Sequence, residues 1–182
     1  MPLTRPKKVP TANLAQGSSF LTSVATSNMP AGSIIQVKHA FHGINTVSTS
    51  TDFVSVLTVQ FDNDLQTNSD VLVSAHFTAT RGSFNANWGA RITFYRDSTN
   101  LGTDFNLANN SAGAIMSQPQ DPIGNTSMQH LDTTPGTGRP IYSLRHGGML
   151  PNDTTAIQIG GNRSNTTYGN TGTMLTIMEV KA

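Results

Sequence analysis

The chain has no cysteine, which excludes both a disulfide framework and a thiolate metal site. A stable fold must then come from a buried core, from association with other chains, or from both. Charge is scarce as well: charged residues make up 12% of the sequence, about half the usual globular share. Glu179 is the only glutamate, so a two-carboxylate glycosidase would have to rely on Asp, and no Asp pair stands out. A Gly-x-Ser-x-Gly elbow, a phosphate-binding Walker loop and a His-Glu-x-x-His motif are all missing. These absences point away from an enzyme and away from any cofactor. No apolar run approaches the ~20 residues of a membrane-spanning helix. Residues Thr11 to Ser19 are too polar for the apolar segment of a signal peptide, so the chain is expected to be made and kept in a cytoplasm.

What is present is polarity without net charge. Hydrophobic residues are 36% of the chain and the formal net charge is +1, with Ser, Thr, Asn, Gln and Gly filling the difference. Disorder needs low hydrophobicity together with strong self-repulsion, and the second condition fails here. With 182 residues, a single folded domain with a real core is expected.

The composition shifts near Gly32. Before it lie prolines 2, 6, 10 and 30 and the basic cluster Arg5, Lys7 and Lys8, and no acidic residue occurs before Asp52. Proline blocks helix continuation and strand pairing, so residues 1–32 are expected to form an extended N-terminal arm. Leu14, Phe20 and Leu21 could dock that arm on a surface, and the alternative is an unstructured leader.

From residue 33 to 182 the sequence reads as strands separated by turns. Ile35, Val37 and Phe41 alternate with Gln36 and Lys38. Phe53, Ser55, Leu57, Val59 and Phe61 fall on one face of a second strand, with Val54 and Val56 on the other. Val71, Val73, Ala75 and Phe77 alternate with Leu72, Ser74 and His76; Ala90, Ile92 and Phe94 alternate with Arg91, Thr93 and Tyr95. A turn at Asp97 to Asn100 should return Leu101 to Leu107 as a hairpin partner. Ile141 to Leu144, Ala156 to Ile159 and Thr173 to Val180 complete the set. This period of two predicts an all-β fold, an antiparallel β-sandwich of jelly-roll-like type with about eight strands. Asn109 to Gly138, which carries Pro119, Pro122 and Pro135, is expected to be a surface loop with only Met128 to Leu131 as a short strand. The strand from Phe53 to Phe61 is apolar on both sides and needs cover on both, which predicts a homotrimer.

Candidate sites are few. His39 and His42 are three residues apart and so point to opposite sides of a strand, which leaves no metal site among the histidines. Asp62, Asp64 and Asp70 could hold calcium, but the glycine and terminal glutamate of an EF-hand are missing and Asp is an ordinary turn residue. Phe84, Asn85, Asn87 and Trp88 could present an aromatic and amide surface to a carbohydrate, or Trp88 could simply fill the core. Outside the arm, basic and acidic residues nearly cancel, which argues against nucleic acid as a partner.

Four phrases resemble a group of phage and cyanophage virion proteins. They are Met29-Pro30-Ala31-Gly32-Ser33-Ile34-Ile35-Gln36-Val37, the stretch from Asp62 to Val73, Phe94-Tyr95-Arg96-Asp97, and the closing Thr173-Met174-Leu175-Thr176-Ile177-Met178-Glu179-Val180. The resemblance spans roughly Met29 to Val180 and implies a β-sandwich used either as a trimeric capsid cement (decoration) protein or at the distal end of a tail fibre or tailspike. It brings no catalytic residues. No fibre shaft precedes the strands, which favours the cement role: a homotrimer on the capsid surface, anchored to the major capsid protein through Arg5, Lys7, Lys8, Leu14, Phe20 and Leu21. The alternatives are a fibre-tip module that recognises host surface glycan, and a free cytoplasmic lectin.

Overall fold

A computed structural model of the chain describes residues 29–43, 46–50, 52–81, 89–104, 114–116, 124–148, 157–160 and 172–182. Within them the protein is all-β, built as two antiparallel sheets. The first sheet contains β1 (Ile34–His42), β2 (Thr46–Ser48), β4 (Ser69–Arg81), β8 (Gly124–Asp132), β10 (Ile157–Ile159) and β11 (Thr173–Lys181). The second contains β3 (Val54–Gln60), β5 (Gly89–Arg96), β6 (Thr99–Asn100), β7 (Ala114–Met116) and β9 (Ile141–Gly148).

The pairing resolves each sheet into four rows. β11 pairs with residues 69–77 of β4 and β10 with residues 79–81, so β10 and β11 lie end to end along one edge of β4. β1 and β2 flank that row in turn, and β8 takes the opposite edge of β4. In the second sheet β9 lies between β3 and β5, while β6 and β7 share the far edge of β5. The two sheets pack as a sandwich, with β1 and β11 against β3 and β9.

Alternation places the core where it was expected in β4 and β11. Val71, Val73, Ala75 and Phe77 face Leu175 and Ile177 across their ladder and meet Ile92, Phe94, Tyr142 and Leu144 of the other sheet. All of these are buried.

Three expectations need correction. β3 carries a β-bulge: Ser55 pairs with Arg145 and Leu57 with Leu144, leaving Val56 as an extra residue. A bulge shifts the side-chain parity of everything after it. Val56, Val59 and Phe61 therefore all turn inward and are buried, and the strand is not apolar on two opposite faces as strict alternation implied. Second, the chain after Asn100 does not continue as a strand through residues 101–104 but forms a 3-10 turn at Leu101–Asp104. Asn100 Oδ1 accepts from the Gly102 amide at 2.9 Å, the local capture by which Asn side chains bend a chain. Third, the supposed loop from Asn109 to Gly138 contains β7 and the nine-residue β8, which is paired with β4 along its length.

The turn that leads into β1 is tied to the last strand. Gly32, at φ +84° where a side chain would be strained, donates its amide to the Lys181 carbonyl at 2.7 Å, and the Lys181 amide returns to Ser33 at 2.9 Å. The turn at residues 30–33 is thus fastened to the last strand.

Candidate assembly face

Two buried polar clusters use up much of the chain's charged and hydroxyl chemistry. Asp132 at the end of β8 is buried, and both its oxygens accept from Arg96 Nη1 of β5 at 2.8 Å. The Tyr142 hydroxyl of β9 donates to the same carboxylate at 2.9 Å, and Arg96 also donates to the Thr134 carbonyl. Burial, followed by the neighbouring Asp132 carboxylate, pushes the Tyr142 hydroxyl pKa upward, so it remains a donor. The cluster joins β8 of one sheet to β5 and β9 of the other. Glu179, inward on β11, accepts from Gln36 Nε2 at 2.7 Å and from the Gln66 amide at 2.6 Å. It clamps the 62–68 connection to the first sheet.

Of the three carboxylates weighed for calcium, two lie beside cations, and Asp70 sits on β4 opposite Val180. Asp62 accepts from Lys38 Nζ at 2.8 and 2.9 Å, and Asp64 lies 3.6 Å from Arg139 Nε. Among the described residues no three His, Asp or Glu side chains gather as metal ligands do. His146 lies at the other extreme. It is buried on β9 between Val54 and Ile92, and neither ring nitrogen has a hydrogen-bond partner. Burial lowers its pKa to about 4, so the ring is neutral near pH 7.

The proposed arm residues Arg5, Lys7, Lys8, Leu14, Phe20 and Leu21 lie outside the described residues, as do Phe84, Asn85, Asn87 and Trp88.

The outer faces of the two sheets differ. On the second sheet, Arg145 lies with its guanidinium carbon 4.0 Å from the centroid of Tyr95, and Phe53 packs on the same ring at 5.8 Å. Arg145 also donates to Ser143 Oγ at 3.0 Å and to the Asp97 carbonyl at 2.9 Å, while Thr93 donates to Asn100 Oδ1 at 2.7 Å. These contacts tie up the polar groups around Arg145, while Ile141 at the start of β9 is 44% exposed on the same side.

The first sheet is open. Register brings Val37 of β1, Met178 of β11, Leu72 of β4 and Leu131 of β8 into one cross-strand row. Val37 is 52% exposed and Leu131 48%, with Met178 and Leu72 half-buried between them. The next row on this face is His39, Thr176, Ser74 and Gln129; the one after it is Phe41, Met174, His76 and Ser127. Phe41 is 66% exposed, the highest among the described large apolar residues, and its ring lies against Gly172 so closely that a Cβ there would come within 2.5 Å. None of these three rows contains Lys, Arg, Asp or Glu. The apolar side chains of the first and third rows are separated by the polar row between them, and the row beyond Val37 brings Asp70 onto the same face beside Val180.

Sequence reasoning about individual strands missed this face. A partial signal existed in β11, where Met174 and Met178 alternate with Leu175 and Ile177, so both sides of that strand are apolar. Compared with models of known protein families and with curated proteins, the sequence matches none.

Proposed function

We propose that the chain is an assembly protein of a bacteriophage particle, a homotrimeric cement (decoration) protein that reinforces the head surface by contact with the major capsid protein. The observation that carries the assembly reading is the exposed apolar row Val37, Met178, Leu72 and Leu131 on the outer side of the first sheet, together with the exposed Phe41 and Met174. The virion context comes from the phrases around Met29–Val37 and Thr173–Val180. The row order supports reading the sandwich as a jelly roll: β1, β11, β4, β8 in one sheet and β3, β9, β5 and the β6/β7 row in the other, with the chain passing repeatedly between them. Cement action needs no chemistry. Burying apolar area across a joint contributes about 25 cal/mol per Å² before association costs, and a shell repeats that joint many times.

The test is copy number in particles that carry the protein. Mass spectrometry should find it in amounts comparable to the major shell protein. A few copies per particle would instead favour a fibre-tip module binding host glycan, for which the exposed Phe41 ring offers a stacking surface. Absence from purified particles would overturn the virion reading.

A further inference from the structure

Of the two ladders that wall in His146, only one is continuous. β9 pairs with β5 without a break from Ala90 to Arg96, and Ile92 lies opposite His146 within that run. On the other side Val54 lies opposite His146 and Ser55 opposite Arg145, and the bulge then interrupts the ladder before Leu57. β3 is also the edge strand, paired only with β9 among the described residues. Its first two paired residues are thus cut off from the rest of their ladder. They flank a ring that has no exposed surface and no hydrogen-bond partner at either nitrogen.

We propose that this arrangement is an acid-operated latch: protonation of His146 opens the Val54–Ser55 end of β3 from β9 while the rest of the sandwich stays closed. The proposal goes beyond the assembly reading and does not depend on it.

An imidazolium carries a positive charge and two N–H donors, and among the described residues nothing around the ring receives them. Thr173, the inward residue at the start of β11, is buried, but its hydroxyl and the ring are both without partners, so the two are not bonded. The inward side chains nearby on β3, β4 and β5 are apolar: Val54 and Val56, Ala75 and Phe77, Ile92 and Phe94. On the inward side of β1 the titratable residues are Lys38, held by Asp62, and His42, opposite Thr173; neither offers a negative charge. The inward carboxylates lie toward the other end of the sandwich. There Glu179 of β11 accepts from Gln36 and Gln66, and Asp132 of β8, two residues beyond His130, accepts from Arg96 and Tyr142. Arg145, next to His146, is turned to the outer face over Tyr95.

A charged His146 ring can therefore be solvated only by reaching water, and the interrupted ladder is the weaker wall. Burial keeps the ring neutral down to about pH 4 in the closed form, whereas a ring exposed by opening binds its proton near pH 6.5. Between those values the open form holds the extra proton, so falling pH shifts the local equilibrium toward it.

The experiment is hydrogen exchange of the full chain at pH 7 and pH 5, corrected for the intrinsic rate at each pH. The amides of residues 54–56 and 145–147 report the latch, and those of residues 58–60 and 175–177 serve as internal references. The opening constant should rise about 20-fold at the latch and change less than about twofold at the references. His146→Phe, which cannot titrate, should abolish the rise. An equal rise at both sets would mean that acid unfolds the whole sandwich, and no rise would mean that the ring does not govern this end; either result overturns the proposal. Imidazole nitrogen NMR of the wild type gives a second readout that does not depend on how His146→Phe folds. The His146 ring should gain its proton together with faster exchange at Val54, and protonation without faster exchange there would also overturn the latch.

Discussion

The two outer faces of this sandwich share a strand grammar and differ in how they are finished. On the second sheet, Arg145 spans Tyr95, Ser143 and the Asp97 carbonyl, so these groups are occupied by one another. On the first sheet, cross-strand rows place Val37, Met178, Leu72 and Leu131 side by side, with no ionised group among them. A β-sheet needs cover on its inner side to fold, and both sheets have it. The outer side is free to be specified by something else: the contacts around Arg145 finish part of one outer side, and the other is the side proposed here for assembly.

Several changes should sharpen or break that contrast. The largest effect is expected at the clamp between the sheets. Asp132→Ala leaves the Arg96 guanidinium and the Tyr142 hydroxyl without their shared acceptor and should cost about 3–5 kcal/mol in denaturant unfolding. Tyr142→Phe removes a single hydrogen bond and should cost about 1–2 kcal/mol. If the two variants cost the same, the cluster does not hold the sheets together.

Acid comes next. Below pH 6.5 the unfolded chain protonates His146, while the folded chain resists until about pH 4. Unfolded chains therefore hold the extra proton across that window, and stability falls as pH drops through it, by about 3 kcal/mol in all. The contribution is fully present above pH 6.5. Thermal melting of wild type and His146→Phe between pH 7 and pH 4 should show the wild type losing more; parallel curves would contradict the buried neutral ring.

Gly172→Ala forces a side chain into the Phe41 ring at a residue with φ +74°, and should cost about 1–2 kcal/mol while disturbing the open face. Arg145→Ala on the second sheet's outer face should cost about 1 kcal/mol of monomer stability and leave association unchanged. An effect of Arg145→Ala on association would break the distinction between the faces. The smallest effect is expected for Lys38→Ala, which removes an exposed ion pair to Asp62 worth about 0–1 kcal/mol, and less in high salt.

Much of the fold was legible in the sequence because the inner faces obey a period of two. Val71 to Phe77 and Thr173 to Val180 named their own strands and their buried sides. β3 misled because a single extra residue at Val56 reverses parity, and no composition signal marks a bulge. β8 was read short, as Met128 to Leu131, because it lies at the edge of its sheet: of Asn125 to Gln129, only Met128 is apolar, and it packs against the core from a partly buried position. The assembly face was invisible for a different reason. Its central row joins residues 37, 72, 131 and 178, which only register brings together. The bulge also removes the double-sided β3 as grounds for a trimer, and the first sheet's outer face takes its place.

The most direct test of the central claim is the mass of the wild-type chain in solution across the micromolar range, measured by light scattering. A homotrimer gives a concentration-independent particle of three times the 19.4 kDa chain mass. A particle of one chain mass would mean that the exposed apolar row of the first sheet is not closed by copies of this protein.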